Sequence, residues 1–228
     1  MNTRRCIVAV TIWLPLASFV CQTAASQSDR LLQVDLTEFP RSRGILLSKL
    51  GPTPFDCGRV IFKPAFAPEY SVSVHSTRVG DKLPKYVATY IKAEDSLNEL
   101  FEPGVDPKEA QAVKVRRIDC EISKQTAEKL KQAWMGMLSG NQRARPMTEE
   151  DATRATDATI AEFSIQLSQV QILYAELLEV ESPRGPKTKM LVDLANTLVD
   201  YCKARKGDRG TIASKIDGRA TQLLKMLK

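Results

Sequence analysis

One histidine, His75, serves a chain of 228 residues. A Ser-His-Asp set therefore has only one place to form, since its base must sit within hydrogen-bond reach of the nucleophile. No G-x-S-x-G sequence sets a serine on a sharp elbow. No G-x-x-x-x-G-K-[ST] loop cradles a phosphate. Aromatic residues make up 6% of the chain. Basic residues are interspersed with acidic ones rather than gathered in a stripe, which argues against nucleic acid as a partner. After Val20, no apolar run approaches the roughly 20 residues that a membrane-spanning helix needs. No fixed-period repeat is visible.

Cysteine is also scarce. Cys6 and Cys21 lie near the N-terminus, and Cys57, Cys120 and Cys202 are spread over the rest. No two of these three are closely spaced, and His75 is distant from each, so no metal site is expected. No cofactor is expected either.

Residues 1–25 have the pattern of an export signal. Arg4 and Arg5 supply a basic start, CIVAVTIWLPLASFV an apolar middle, and Thr23, Ala24 and Ala25 a small-residue cleavage site. Retention as an anchor is the first alternative, but Pro15 breaks the run and it is short for a span. Lipid attachment at Cys21 is the second, although bulky Phe19 and Val20 precede it. The expected location is periplasmic or secreted, with no stable membrane span after cleavage. Loss of Arg4 and Arg5 lowers the net charge from +6 to about +4, favouring solubility and weak attraction to anions.

Three cysteines in an oxidising compartment suggest one disulfide and one leftover thiol. Cys120 shares an apolar strand face with Ile118 and Ile122, which reads as a buried thiol. Cys57–Cys202 is then the expected pair.

Residues 26–56, interrupted by Pro40, Pro52 and Pro54, read as an N-terminal arm lying on the core, with GILLSKL forming one or two helical turns. Residues 57–228 read as a single α+β domain. Strands are expected at Gly58–Phe62, Glu69–Thr77, Lys85–Lys92, Val113–Ile122, Ile160–Ser168 and Ile172–Val180. In the second of these, Tyr70, Val72 and Val74 alternate with Ser71, Ser73 and His75, the period of a half-buried strand. Ala93–Phe101 has weak helical spacing, and Pro103 and Pro107 then break the chain.

Ser123 is placed to cap a helix whose stripe is Ala127, Leu130, Trp134 and Met137 or Leu138. A second helix, Thr188 to Arg205, buries Leu191, Leu194, Ala195, Leu198 and Cys202. A third, Thr211–Leu227, buries Ile212, Ile216, Ala220, Leu223 and Leu227. Residues 141–158 read as a surface connection. These elements predict a mainly antiparallel sheet of five to six strands, with three amphipathic helices packed chiefly on one face.

Candidate chemistry is sparse. His75 between Ser73 and Thr77 reads as an exposed strand histidine. Asp119 and Glu121 share the polar face of one strand, and Glu162 and Glu176 lie on the later hairpin; paired carboxylates are what glycoside hydrolysis requires. Solvated carboxylates are common, however. Arg184, Lys187 and Lys189 lie where a helix begins, and helix N-termini attract anions. Pro186 removes one donor from that cradle. Arg116, Arg117, Arg143 and Arg145 offer a basic patch diluted by nearby acids.

The stretches FDCGRVIFKPAFAPEYSVSV, RRIDCEISKQTAEKLKQAWMGML and LVDLANTLVDYCKAR together resemble a group of exported bacterial proteins of unknown function. The likeness covers most of the chain from Cys57 onward. It implies a helix with a central tryptophan, as Trp134 is here, followed by a hairpin and a Leu-rich helix, in a periplasmic setting. It implies no activity, ligand or site residue. The expectation is an exported, non-enzymatic binding or interaction protein whose partner is a protein or an anionic ligand of the envelope. The alternative is an envelope-directed hydrolase acting through Asp119 and Glu121.

Overall fold

The computed structural model describes residues 40–51, 54–77, 83–97, 107–139, 158–168, 171–177, 180, 183 and 185–228. The expected export signal at 1–25, the expected arm up to residue 39, the expected connection 141–157 and Arg184 lie outside the described residues.

Six strands form one sheet: β1 Arg59–Lys63, β2 Tyr70–Thr77, β3 Lys85–Ala93, β4 Val115–Ile122, β5 Ile160–Gln166 and β6 Ile172–Leu177. Their spatial order is β4-β3-β2-β1-β5-β6. Every neighbouring pair is antiparallel. The first four strands meander toward one edge, and the β5–β6 hairpin then pairs on the far side of β1. The expected α+β class and antiparallel sheet are present.

Period-two alternation sorts the strands into two faces. On one, Val60 pairs with Val72 and Phe163, and Val72 with Tyr90. Helices lie on this side of the sheet: α3 Lys124–Ser139 and α4 Pro186–Lys203 against it, with α5 Arg209–Met226 beyond them; α1 is Pro40–Leu50 and α2 is Pro107–Ala112. α3 and α4 pack directly on strands, whereas α5 packs chiefly on α3 and α4 as an outer layer. The Ser123 hydroxyl caps α3, accepting from the Thr126 N–H at 3.1 Å. Trp134 sits in the centre of this core, tilted against Phe163 at 5.9 Å between ring centroids. Its indole N–H donates to the Arg59 carbonyl at 3.3 Å. Each such large apolar side chain contributes about 1.5–3 kcal/mol on burial.

The second face departs from expectation. GILLSKL belongs to an eleven-residue helix, α1, and that helix lies across the polar side of the sheet. Leu46 and Leu50 pack there with Ile61, Ile91, Ala93, Leu97 and Val113. Ser71, Ser73 and His75 are buried rather than half exposed. Lys49 ties α1 to the Val113 carbonyl at 3.0 Å, and the Ser71 hydroxyl donates to the Leu50 carbonyl.

Residues 94–97 are not helical; the short helix α2 begins instead at Pro107. Proline read as a breaker is here a first helical residue, where a missing N–H costs nothing and the fixed φ suits the turn. No helix of the described residues is long and apolar enough to cross a membrane.

Candidate functional site

Where the three-helix layer ends, the helical face of the sheet carries a basic and aromatic cluster. Tyr70 and Tyr90 lie on neighbouring strands with ring centroids 6.1 Å apart, and Phe62 stacks on Tyr70 at 4.7 Å. Two residues beyond Tyr90 the alternation brings Lys92 to the same face, directly opposite Arg116 on β4. Like charges opposed across a ladder are destabilising. Lys203, in the last turn of α4, holds its ammonium 4.7 Å from the Tyr90 centroid and 5.9 Å from that of Tyr70.

Lys92, Arg116 and Lys203 are all exposed. Among the described residues none of the three makes an ion pair, and Glu94, the nearest acid along β3, pairs with none of them. Lys203 also complements the negative end of α4, a structural role that a basic last turn commonly fills. Nothing comparable accounts for the Lys92–Arg116 opposition. Burial holds the Tyr90 phenol above its ordinary value, against the opposing pull of Lys92 and Arg116. The phenol therefore stays neutral; Tyr90 is buried and Tyr70 half-buried, so the cluster presents exposed cations beside a covered aromatic floor, and among the described residues no acid pairs with those cations.

The second face carries a row of polar groups. Asp119, Thr89, Ser73, Arg59, Ser164 and Tyr174 lie opposite one another across all six strands. Thr89 donates to Asp119 at 2.7 Å, and Arg59 Nε donates to Ser164 Oγ at 3.1 Å. Arg59, 4% exposed, also holds its guanidinium 3.9 Å over the Phe55 ring. Among the described residues, Ser73 Oγ, His75 Nδ1 and Gln166 Oε1 are buried on this face and find no hydrogen-bond partner. Burial lowers the His75 pKa, with Arg117 adding to it and Asp56 and Asp119 opposing. A neutral, buried imidazole replaces the expected exposed one.

The candidate carboxylates are compensated. Arg117 Nε lies 3.0 Å from both Asp119 oxygens. Burial alone would raise the Asp119 pKa, but the Thr89 hydroxyl and Arg117 outweigh it and hold the carboxyl below its usual range. Glu121 pairs with Lys85 at 2.9 Å on the surface, which lowers its pKa too. Glu162 and Glu176 face each other on the hairpin, and Lys63 bridges them at 3.2 and 2.8 Å.

The expected Cys57–Cys202 pairing needs correction. Cys202 meets Cys120, with sulfurs 3.3 Å apart, and all three thiols are free. The last turn of α4 lies over β3 and β4, whereas Cys57 sits beside Asp56, Glu128 and Lys131. Of the expected anion site, Arg184 lies outside the described residues. Lys187 is half-buried and Lys189 exposed. The Gly185 N–H donates to Thr188 Oγ1 at 3.2 Å, so one orphan donor there is already used. Among the described residues, no cluster of His, Cys, Asp and Glu is arranged to hold a metal.

Arg59 and Lys203 were not singled out by sequence reasoning. An arginine opening an otherwise apolar strand was a usable signal for the first. The second depends on how α4 crosses the sheet, which no local pattern encodes. The chain matches no protein-family model, no curated protein and no solved structure.

Proposed function

We propose that this chain is an exported, non-enzymatic binding protein that takes an anionic partner on the Tyr70–Tyr90–Lys92–Arg116–Lys203 cluster. The observation that carries the reading is the exposed Lys92–Arg116 opposition, which among the described residues no acid relieves by an ion pair. A departure from local rules of this kind is expected where a fold trades stability for function. Exposed cations set side by side suit a carboxylate, sulfate or phosphate group. Export rests on the leader at residues 1–25 and on the resemblance to exported bacterial proteins.

Hydrolysis through Asp119 and Glu121 is the weaker reading. A glycoside hydrolase needs one carboxyl held protonated near neutral pH, and both of these are shifted the other way.

Polyglutamate serves as a probe for the cluster. Wild-type protein should bind it at low salt and lose affinity as salt rises. Lys92→Glu with Arg116→Glu should weaken binding at least tenfold, while Lys187→Glu with Lys189→Glu, the same change in net charge, should leave most of it. Equal loss in both double variants would mean diffuse attraction to a basic protein and would overturn the site. Export is checked separately by the N-terminus of the protein recovered from cell envelopes, which should begin close to Ser26.

A further inference from the structure

We propose that Cys120 and Cys202 are the site of an oxidative cross-link, a disulfide that pins edge strand β4 to the last turn of α4 in an oxidising compartment. The sulfurs are 3.3 Å apart, and a bond of about 2.05 Å needs an approach of little more than an ångström. Both backbones are held at that spacing by other contacts. Cys120 is in register with Ala88 in the middle of the β3–β4 ladder. One position along each element, the Tyr201 hydroxyl donates to the Glu121 carbonyl at 2.5 Å. The encounter thus belongs to the packing of α4 on β4 and not to one side-chain rotamer. Cys57, beneath α3, is the odd thiol left over.

The chemistry balances with a small disulfide as oxidant. A Cys120 thiolate attacks one sulfur of oxidised glutathione, forming a mixed disulfide and expelling one glutathione thiolate. The Cys202 thiolate then attacks the Cys120 sulfur and expels the second. Each cysteine gives up one proton, and the two electrons pass to glutathione. Both sulfurs are buried in the folded chain, so the exchange takes place during folding, before β4 and α4 close over them.

The pairing itself follows from geometry; its presence in the cell rests on the export reading, and the two are tested apart. The full-length chain with Cys6→Ser and Cys21→Ser, which leaves Cys57, Cys120 and Cys202, is reduced and unfolded, refolded in glutathione redox buffer, alkylated under denaturing conditions and mapped by mass spectrometry. The expected result is a peptide joining Cys120 to Cys202 in most chains, two hydrogen atoms lighter than its reduced parts, with Cys57 alkylated. Cys57→Ala should retain this peptide. Alkylation of all three cysteines, a link that includes Cys57, or loss of the link in Cys57→Ala would overturn the proposal. The same map on protein taken directly from its native cells reports the compartment. Free thiols there, with the link formed in buffer, would count against export while supporting the pairing.

Discussion

Gly58→Ala should be among the most damaging single-methyl additions to this chain. Gly58 has φ at +116°, a conformation that L side chains rarely adopt. A Cβ at that position would lie 2.8 Å from Cγ of Trp134 and 2.9 Å from Cδ1 and Cδ2. The ring has little room to retreat, because its N–H is bound to the Arg59 carbonyl and its face leans on Phe163. The backbone is no freer: the Gly58 N–H donates to the Phe55 carbonyl at 3.1 Å, and the Gly58 carbonyl accepts from Val74 at 2.9 Å. Backbone strain costs about 1–3 kcal/mol and overpacking a similar amount. The stiffer unfolded chain of an alanine variant offsets such costs by up to about 1 kcal/mol only where the fold accommodates the residue, which this site does not. A loss of about 2–6 kcal/mol is expected, a large part of the roughly 5–15 kcal/mol that holds a typical domain together.

Urea denaturation followed by far-UV circular dichroism measures the loss and also reads variants that lack Trp134. Gly44→Ala is the matched control, since Gly44 is exposed in α1 and a Cβ there would meet nothing within 4 Å; it should be neutral or stabilising by up to about 1 kcal/mol. A double-mutant cycle with Trp134→Leu separates the two causes. Relief of the clash should appear as a coupling of about 1–3 kcal/mol, and the backbone part should persist. An unchanged midpoint in Gly58→Ala, or no coupling to residue 134, would refute the reasoning.

Three further outcomes are expected. Lys63→Met, which removes the ammonium between buried Glu162 and Glu176, should cost about 3–5 kcal/mol at neutral pH and regain much of it when combined with Glu162→Gln and Glu176→Gln; equal losses with and without those glutamines would argue against the ion triplet. His75 has a folded pKa below its unfolded value, so its contribution to stability is full above about pH 6.5 and fades as pH falls below it; stability of His75→Gln should fall less steeply over that range than wild type, and parallel curves would exclude the effect. Burial, reinforced by Asp56, pushes the Cys57 thiol up to about 12, so iodoacetamide should modify it at neutral pH only on unfolding, and rapid labelling of native protein would contradict this.

The helical face was legible in the sequence because one pattern decided each element. Tyr70, Val72 and Val74 could serve only one side of a strand, and Leu130 and Trp134 only one stripe of a helix. Strand and helix bounds fell within about two residues of the observed ones over the clearest segments, such as Lys124–Ser139 and Ile160–Gln166. The second face was misread for a physical reason. Ser71, Ser73 and His75 carry the alternation of a solvated side, yet α1 covers part of that side with Leu46 and Leu50 turned inward. Leucines at those positions, beside Ile45, Leu47 and the polar Arg41, Ser42, Arg43, Ser48 and Lys49, leave too weak a period to announce a packing face.

The same distinction explains what was legible of the candidate site. Asp119 and Glu121 were found because carboxylates two apart on a strand must share a face, but whether they are free or compensated depends on Arg117, Thr89 and Lys85. Two of those partners stand on another strand, in a register that pairing sets and local sequence does not. Lys92 and Arg116 are separated by the whole β3–β4 connection and become neighbours only in that ladder. Cys120 and Cys202 are 82 residues apart and meet only because α4 crosses β4. Elimination by exposure put Cys120 aside as a core thiol, and burial was correct; the error lay in treating burial as isolation. A cysteine on the inner side of an edge strand faces whatever helix covers it. Here that helix carries Cys202 on its own inner stripe, so the alternation that buried each thiol also aimed them at one another.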